Sequence, residues 1–174
     1  ILRHKLAMFG LVVVSVFVLA ALFAPWIAPY DPLETSWSRI RKPPSWAHPF
    51  GTDFFGRDVL ARVLQGGQAT LAIGVGVVAL AFLAGTSFGL VAGFVGGWTD
   101  MVMMRVVDAL LSFPSLVLAI ALAAALGPSL TNAMLAVAIA LAPQFARLAR
   151  AQALSISVLP YVEAAVAAGG TTPA

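Results

Sequence analysis

Residues able to do acid–base or metal chemistry are few and widely spaced in this chain of 174 residues. The two histidines, His4 and His48, have no partner at metal-ligand spacing, and we expect His48 to be a solvent-exposed loop residue. Asp53 and Asp58 could act as paired carboxylates, but no nucleophile lies beside them, so acidic residues at a helix start are the favoured interpretation. The chain has no cysteine. The sequence therefore predicts no catalytic group, no cofactor and no metal site.

The composition is that of a membrane protein. Hydrophobic residues make up 61% of the chain and charged residues 10%, whereas soluble domains have about 45–50% apolar and about 25% charged residues. The net charge is +3. Because the ten basic residues are scattered singly or in pairs, they are typical of loops that flank membrane spans, and no nucleic-acid partner is expected.

Three windows without a charged residue organise the chain, at 6–30, 63–99 and 109–146. A helix needs about 20 apolar residues to cross a bilayer core of about 30 Å. Gly127-Pro128-Ser129 breaks the third window into a hairpin of two helices. The sequence thus predicts four spans, at Leu6–Ile27, Ala69–Val95, Ala109–Leu126 and Leu130–Ala146.

Two polar segments separate these spans. The loop from Asp31 to Gln68 is expected to contain a short helix at Gly56–Leu64. Gly66-Gly67 and Gly96-Gly97 are expected to bound the second span. The segment from Trp98 to Phe113 is predicted to be an amphipathic helix at the membrane surface. Its polar side carries Asp100, Arg105, Asp108 and Ser112, and we expect Arg105 to pair with Asp108, three residues away.

Charge alone leaves the orientation open. With Arg3 and Lys5 on the cytoplasmic side, four spans return the tail after Arg147 to that side. The same orientation places the basic residues of the first loop outside, against the positive-inside rule. They are Arg39, Arg41, Lys42, Arg57 and Arg62.

The second predicted span carries small residues four positions apart. Such spacing leaves one helical face nearly flat, so that a second helix can approach at backbone distance. This face is either a packing contact within the chain or a seam between helices that move relative to each other. Its residues are Ala81, Gly85, Gly89, Gly93 and Gly97.

A short alanine-rich helix is predicted after the last span. Pro160 can begin it, because a missing N–H costs nothing at a helix start. Gly169 or Gly170 can end it in the left-handed conformation. Glu163 lies in its first turn. From composition, this segment is either an ordinary surface helix or a thin helix that fits a groove on a partner.

Within that helix, Glu163-Ala164-Ala165 followed by Gly169 resembles the start of the EAA loop in permeases of ATP-driven (ABC-type) importers. Other stretches are similar, in the same order, to the C-type subunit of dipeptide, oligopeptide and nickel permeases. They are residues 3–10, 48–60, 96–100, 104–108, 113–114 and 146–150.

The resemblance implies an all-α polytopic bundle, the type I importer permease fold, with four spans present of six. It implies a first helix within 1–30, an extracytoplasmic loop at 31–68 and a partial transmembrane domain at 69–174. The chain is expected to stop inside the EAA loop, after the first two-thirds of a permease. The N-terminus and the tail would face the cytoplasm, in the inner membrane of a bacterium or archaeon.

The resemblance also implies function and partners. In this family Glu163, Ala164, Ala165 and Gly169 would couple the permease to its ATPases. Two ATPases, a second permease subunit in a heterodimer, an extracytoplasmic binding protein and the lipid bilayer are the expected partners. The chain has no Gly-x-x-x-x-Gly-Lys-Ser/Thr loop, so ATP binding and enzymatic activity are not expected of it.

Peptides are the expected substrate class. Nickel and glutathione are the alternatives within the family. A membrane-embedded enzyme or a structural scaffold are the alternatives outside it, and copurification with an ATPase would separate a transporter from both.

Overall fold

The computed structural model describes residues 5–28 and 30–169. In that part of the chain the regular elements are helices, and no β-strand is formed, as predicted for an all-α bundle. The α-helices are α1 (Lys5–Leu22), α2 (Ala24–Ile27), α3 (Val59–Val95), α4 (Gly97–Leu111), α5 (Ser115–Leu126), α6 (Leu130–Ser157) and α7 (Pro160–Ala167).

The predicted first span is divided between α1 and α2. The chain turns at Phe23, before Pro25 in the first turn of α2, because a proline has no N–H to continue the helical bonding of α1. Most apolar side chains of α1 are exposed, and Ala21 is its one buried residue. A lipid-facing helix has this pattern, since its side chains meet acyl chains instead of a protein core.

The second span corrects the prediction. Instead of a short helix followed by a span from Ala69, one helix of 37 residues runs through Gly66-Gly67. A glycine inside a helix costs only about 1 kcal/mol, and the Thr70 hydroxyl donates a hydrogen bond of 2.8 Å to the Gly66 carbonyl. At 1.5 Å per residue α3 is about 55 Å long, so it extends well beyond a bilayer core.

The third predicted span is also corrected. Helix α4 ends at Leu111, α5 begins at Ser115, and the two helices meet at 94°. Pro114 lies at the bend and prevents the helix from continuing. In the part of the chain that the structure describes, three helices (α1, α3 and α6) are long and apolar enough to span a membrane, and the bent pair α4–α5 gives a fourth if it is counted as one span.

The predicted hairpin between α5 and α6 is present. The Ser129 hydroxyl accepts a hydrogen bond of 3.0 Å from the Asn132 N–H, and the Asn132 side-chain amide donates one of 2.7 Å to the Leu126 carbonyl. Helix α6 continues past the predicted end at Ala146 to Ser157 and carries Pro143 inside it.

The described residues fall into two compact units, one before and one after the boundary between Gly74 and Val75, which lies inside α3. In the first unit Gly67 lies against α1, where an added Cβ would be 3.6 Å from the Ala21 Cβ. In the second unit α4 and α5 pack on α6, and α7 follows α6 after a turn.

Candidate coupling site

The glycine face of α3 packs directly against the backbone of α6. A Cβ added to Gly85 would overlap the Ala142 carbonyl oxygen, and one added to Gly89 would lie 2.9 Å from the Ala146 Cα. A Cβ on Gly93 would lie 2.8 Å from the Ala153 Cβ. Real Cβ atoms do not approach so closely, so these three positions admit only glycine without movement of α6.

The two ends of the predicted face differ. Ala81 is completely buried, as a member of a packed face should be. Gly97 does not belong to the face, because α3 ends before it and it begins α4. A Cβ at Gly97 would meet no atom within 4 Å, and its φ of +55° explains the glycine instead.

An apolar cavity of about 300 Å³ lies beside this contact, between α3, α4 and α6. Leu80, Phe88, Val107, Leu110 and Ile139 are among its lining residues. Since the lining has no polar side chain, the cavity offers nothing to bind the charged ends of a peptide.

Two ion pairs join α4 to the C-terminal part of α6. The Arg150 guanidinium donates two hydrogen bonds to the Asp100 carboxylate, one of them 2.6 Å long. Arg147 donates one of 2.7 Å to Asp108. The predicted Arg105–Asp108 pair is therefore wrong: Asp108 faces α6, and Arg105 makes no ion pair with any residue that the structure describes.

Helix α7 has the boundaries that the sequence predicts. It begins at Pro160, and Gly169 follows it with a φ of +94°, the left-handed conformation that favours glycine. Ala164 and Ala165 are exposed. The backbone of Glu163 is helical, whereas its side chain and Gly170 lie outside the described part of the structure. The result is a short, thin helix on which Ala164 and Ala165 are exposed.

His48 is not the exposed residue that we expected. It is 6% exposed, and its Nδ1 lies 2.8 Å from a carboxylate oxygen of Asp58, which is 3% exposed. The Tyr30 ring packs on the imidazole with 4.7 Å between ring centroids. The other Asp58 oxygen accepts a hydrogen bond of 2.8 Å from the Ala61 N–H, so this residue caps α3, in accord with its predicted place at a helix start.

Asp53 organises the rest of the loop. Its carboxylate accepts hydrogen bonds from the guanidinium groups of Arg57 (2.9 Å) and Arg62 (2.7 Å) and from the N–H groups of Phe55 and Arg57. Burial would raise the pKa of Asp53, but the hydrogen bonds from Arg57 and Phe55 outweigh burial and hold the pKa below the ordinary value of 3.8. Asp53 and Asp58 thus have structural partners.

The structure brings some predicted site residues together and separates others. Gly85, Gly89 and Gly93 share one contact with α6, while the EAA-like residues lie on α7. No group of three potential metal ligands occurs among residues 5–28 and 30–169. Sequence reasoning missed the two arginines of α6, whose partners are 39 and 50 residues away. The three-residue spacing of Arg147 and Arg150 was their only signal.

Comparison with known proteins identifies two families. Residues 1–44 match the N-terminal transmembrane domain of oligopeptide transport permease C. Residues 85–173, just over half of the chain, match the binding-protein-dependent transport system inner membrane component.

The chain is similar over nearly its whole length to several bacterial permeases. It is 43% identical, over 96% of its length, to the dipeptide transport system permease protein DppC of Alkalihalophilus pseudofirmus, and covers 55% of that protein. It is 48% identical, over 92%, to the probable D,D-dipeptide transport system permease protein DdpC of Escherichia coli, and covers 54%.

The glutathione transport system permease protein GsiD of Pectobacterium atrosepticum is 38% identical over 97% of the chain, which covers 56% of it. The chain thus spans about half the length of the curated relatives it matches. With its apolar helices and the match over its second unit, it belongs to the family of binding-protein-dependent transport system inner membrane components, and is a multi-pass protein of the cytoplasmic membrane.

Proposed function

We propose that this chain forms part of a permease subunit in an ATP-driven peptide importer, and that α7 is the helix through which it couples to an ATPase. The names of the relatives support peptides as the cargo: two of the three described above are dipeptide permeases. The glutathione permease supports a second candidate, since glutathione is itself a small peptide.

The observation that carries the coupling role is the form of α7. Pro160 and the left-handed Gly169 delimit a helix of eight residues, and its alanines are exposed. Tyr161 is also exposed at 64%. A helix of this length gains little stability from its own hydrogen bonds. Docking into a groove on a partner would both cover these side chains and hold the helix.

The proposed partners follow from the same role. Two ATPases would bind the α7 segments of two permease subunits, a heterodimer in this group, and an extracytoplasmic binding protein would deliver the cargo. The chain would do no chemistry itself. Closure of the ATPases on ATP would move α7, and the spans would change the side on which the pathway is open.

Purification and transport would test this function together. The intact importer that carries these residues, purified through a tag on the permease, should retain an ATPase. In vesicles it should take up labelled dipeptide with ATP and the binding protein, and unlabelled glutathione or nickel should compete poorly. Purification of the tagged permease without any ATPase would contradict the proposal, and so would peptide uptake that does not depend on ATP.

The orientation is part of the proposal. We place residues 31–68 outside the cytoplasm, the first helix within 1–30, and the transmembrane domain at 69–174 with α7 inside. The sequence has no cysteine, so Ala47→Cys and Ala168→Cys, both at exposed positions, introduce single thiols. An impermeant maleimide should label Ala47→Cys in intact cells, and Ala168→Cys only after lysis. The reverse pattern would overturn the orientation.

A further inference from the structure

Arg150 is the residue at which three helices of the second unit meet. Its guanidinium binds Asp100 in the first turn of α4 with two hydrogen bonds. Its backbone lies against α3, because a Cβ added to Gly93 would be 3.2 Å from the Arg150 carbonyl oxygen. It belongs to α6 and lies about two turns before that helix ends at Ser157.

The Arg150–Asp100 pair differs from its neighbour in burial and geometry. Its side chains are 32% and 18% exposed, against 59% and 54% for Arg147 and Asp108. Two parallel hydrogen bonds fix the angle between a guanidinium and a carboxylate as well as their distance. Asp100 is further favoured in the first turn of α4, where the helix dipole attracts negative charge.

The Arg150–Asp100 pair lies next to the turn between α3 and α4 and can restrain it. Gly96 and Gly97 both have left-handed backbones, with φ of 65° and 55°, and a Cβ at either would meet no atom within 4 Å. Within the described part of the chain, the turn is therefore not held by side chains of its own or by close packing. Arg150 contacts Gly93 before the turn and Asp100 after it. These two contacts hold the α3–α4 turn against α6.

We propose that Arg150 and Asp100 are positioning residues that transmit the displacement of α7, through the end of α6, to the α3–α4 turn. This inference rests on the proposed coupling function of α7. A displacement of α6 along its axis would carry Arg150 with it. Because the Arg150 guanidinium binds Asp100 with two hydrogen bonds, α4 would move together with α6 and would not slide past it.

The test uses the intact importer in vesicles and measures peptide uptake and ATP hydrolysis together. Asp100→Asn keeps the size of the side chain and removes its charge. We expect this variant to accumulate and retain its ATPase normally, while uptake per ATP hydrolysed falls about fivefold or more, the change that a coupling free energy of about 1 kcal/mol corresponds to. Asp100→Glu should restore most of the lost ratio, because it restores the carboxylate.

Asp108→Asn is the matched control, since it breaks the exposed pair between the same two helices. Exposed pairs contribute little, so uptake per ATP should change less than about twofold. Equal losses in Asp100→Asn and Asp108→Asn would overturn the inference, and so would an unchanged ratio in Asp100→Asn. Failure of Asp100→Asn to accumulate would also overturn it, because the pair would then serve assembly and not transmission.

The outcomes separate this inference from the proposed function. If the wild-type importer takes up peptide with ATP and Asp100→Asn does so with the same ratio, the function stands and the inference fails. If the wild-type protein shows no ATP-dependent uptake, the function itself fails.

Discussion

The loop between α2 and α3 and the contact between α3 and α6 are held together in opposite ways. In the loop, carboxylates pair with polar side chains and backbone N–H groups, as Asp58 pairs with His48 and Asp53 with Arg57. In the helix contact, Gly85, Gly89 and Gly93 present no side chain, and the backbone of α6 fills the space. Hydrogen bonds between polar groups order the loop. In the helix contact, the absence of side chains on α3 allows the two helices to pack closely.

The solvent explains the difference. Segments in water gain stability from burying apolar surface, but the large apolar side chains of this loop, such as Trp37 and Trp46, are exposed. The loop therefore needs satisfied polar partners to keep a single conformation. Between spans the lipid is as apolar as leucine, so helices associate through close van der Waals contact, for which small residues are required. One helix, α3, carries both solutions: Asp58 caps its start, and the glycine face lies in its second half.

The largest expected effect is on the glycine contact. Gly89→Leu places four carbon atoms where an added Cβ already meets the Ala146 backbone at 2.9 Å. We expect a loss of at least about 3 kcal/mol in the free energy of unfolding, since overpacking of this kind forces the backbone to move. Thermal stability and yield of the detergent-purified importer measure the change.

Ser87→Leu is the control for that change, because it adds similar volume on an exposed part of the same helix. Its effect should stay within about 0.5 kcal/mol. If Gly89→Leu and Ser87→Leu assemble equally well, α3 and α6 do not pack through the glycine face. The proposed difference between this contact and the loop would then be wrong.

A smaller effect is expected in the loop. Asp58→Ala removes the cap of α3, worth about 0.5–2 kcal/mol, and leaves His48 without its buried partner, at a further cost of about 1–3 kcal/mol. Trypsin should then cleave after Arg41 faster in membrane vesicles in which the loop is accessible. Glu34→Ala, which breaks an exposed pair with Arg39 in the same loop, should change the rate little. Equal rates in both variants would show that the buried pair does not order the loop.

Of Gly89→Leu, Asp58→Ala and Asp53→Asn, the last should lower the stability of the folded protein least, by about 1.5–3 kcal/mol. The substitution weakens the hydrogen bonds to a charged carboxylate but does not remove all of them. The pKa of Asp53 is lowered in the folded loop, so its contribution to stability is fully present above the ordinary pKa of 3.8 and is lost as the pH falls below it. Hydrogen exchange of the loop should differ between wild type and variant at pH 7, and the two should converge only once the pH falls below the lowered pKa of Asp53 in the folded loop. If the difference in hydrogen exchange persists at acid pH, the charge of the Asp53 carboxylate is not its cause.

Local signals predicted much of the fold. Pro160 and Gly169 delimit α7, and Gly127-Pro128-Ser129 turns α5 into α6, because proline and glycine act within their own turn of chain. The same signals were misleading at Gly66-Gly67, where a long helix tolerates two glycines. Pro114 bends the third span at a position that hydrophobicity alone did not reveal.

Contacts between distant residues were not predictable in the same way. His48 was expected to be exposed because its partner, Asp58, lies ten residues along an irregular loop. Arg150 and Asp100 are fifty residues apart and meet because α4 packs on α6. The glycine spacing predicted a close contact, but not which helix would fill it.

Coupling through α7 is tested most directly by Gly169→Val in the intact importer. A Cβ at Gly169 meets no described atom of this chain within 4 Å, so within the chain the change acts through the left-handed backbone that valine resists. Gly127→Val is the matched control, since Gly127 also has a left-handed backbone and open surroundings but lies between α5 and α6. The measurement is substrate-stimulated ATP hydrolysis in vesicles, normalised to the inserted permease. We predict that stimulation is lost in Gly169→Val and kept in Gly127→Val, and normal stimulation in Gly169→Val would contradict the coupling role of α7.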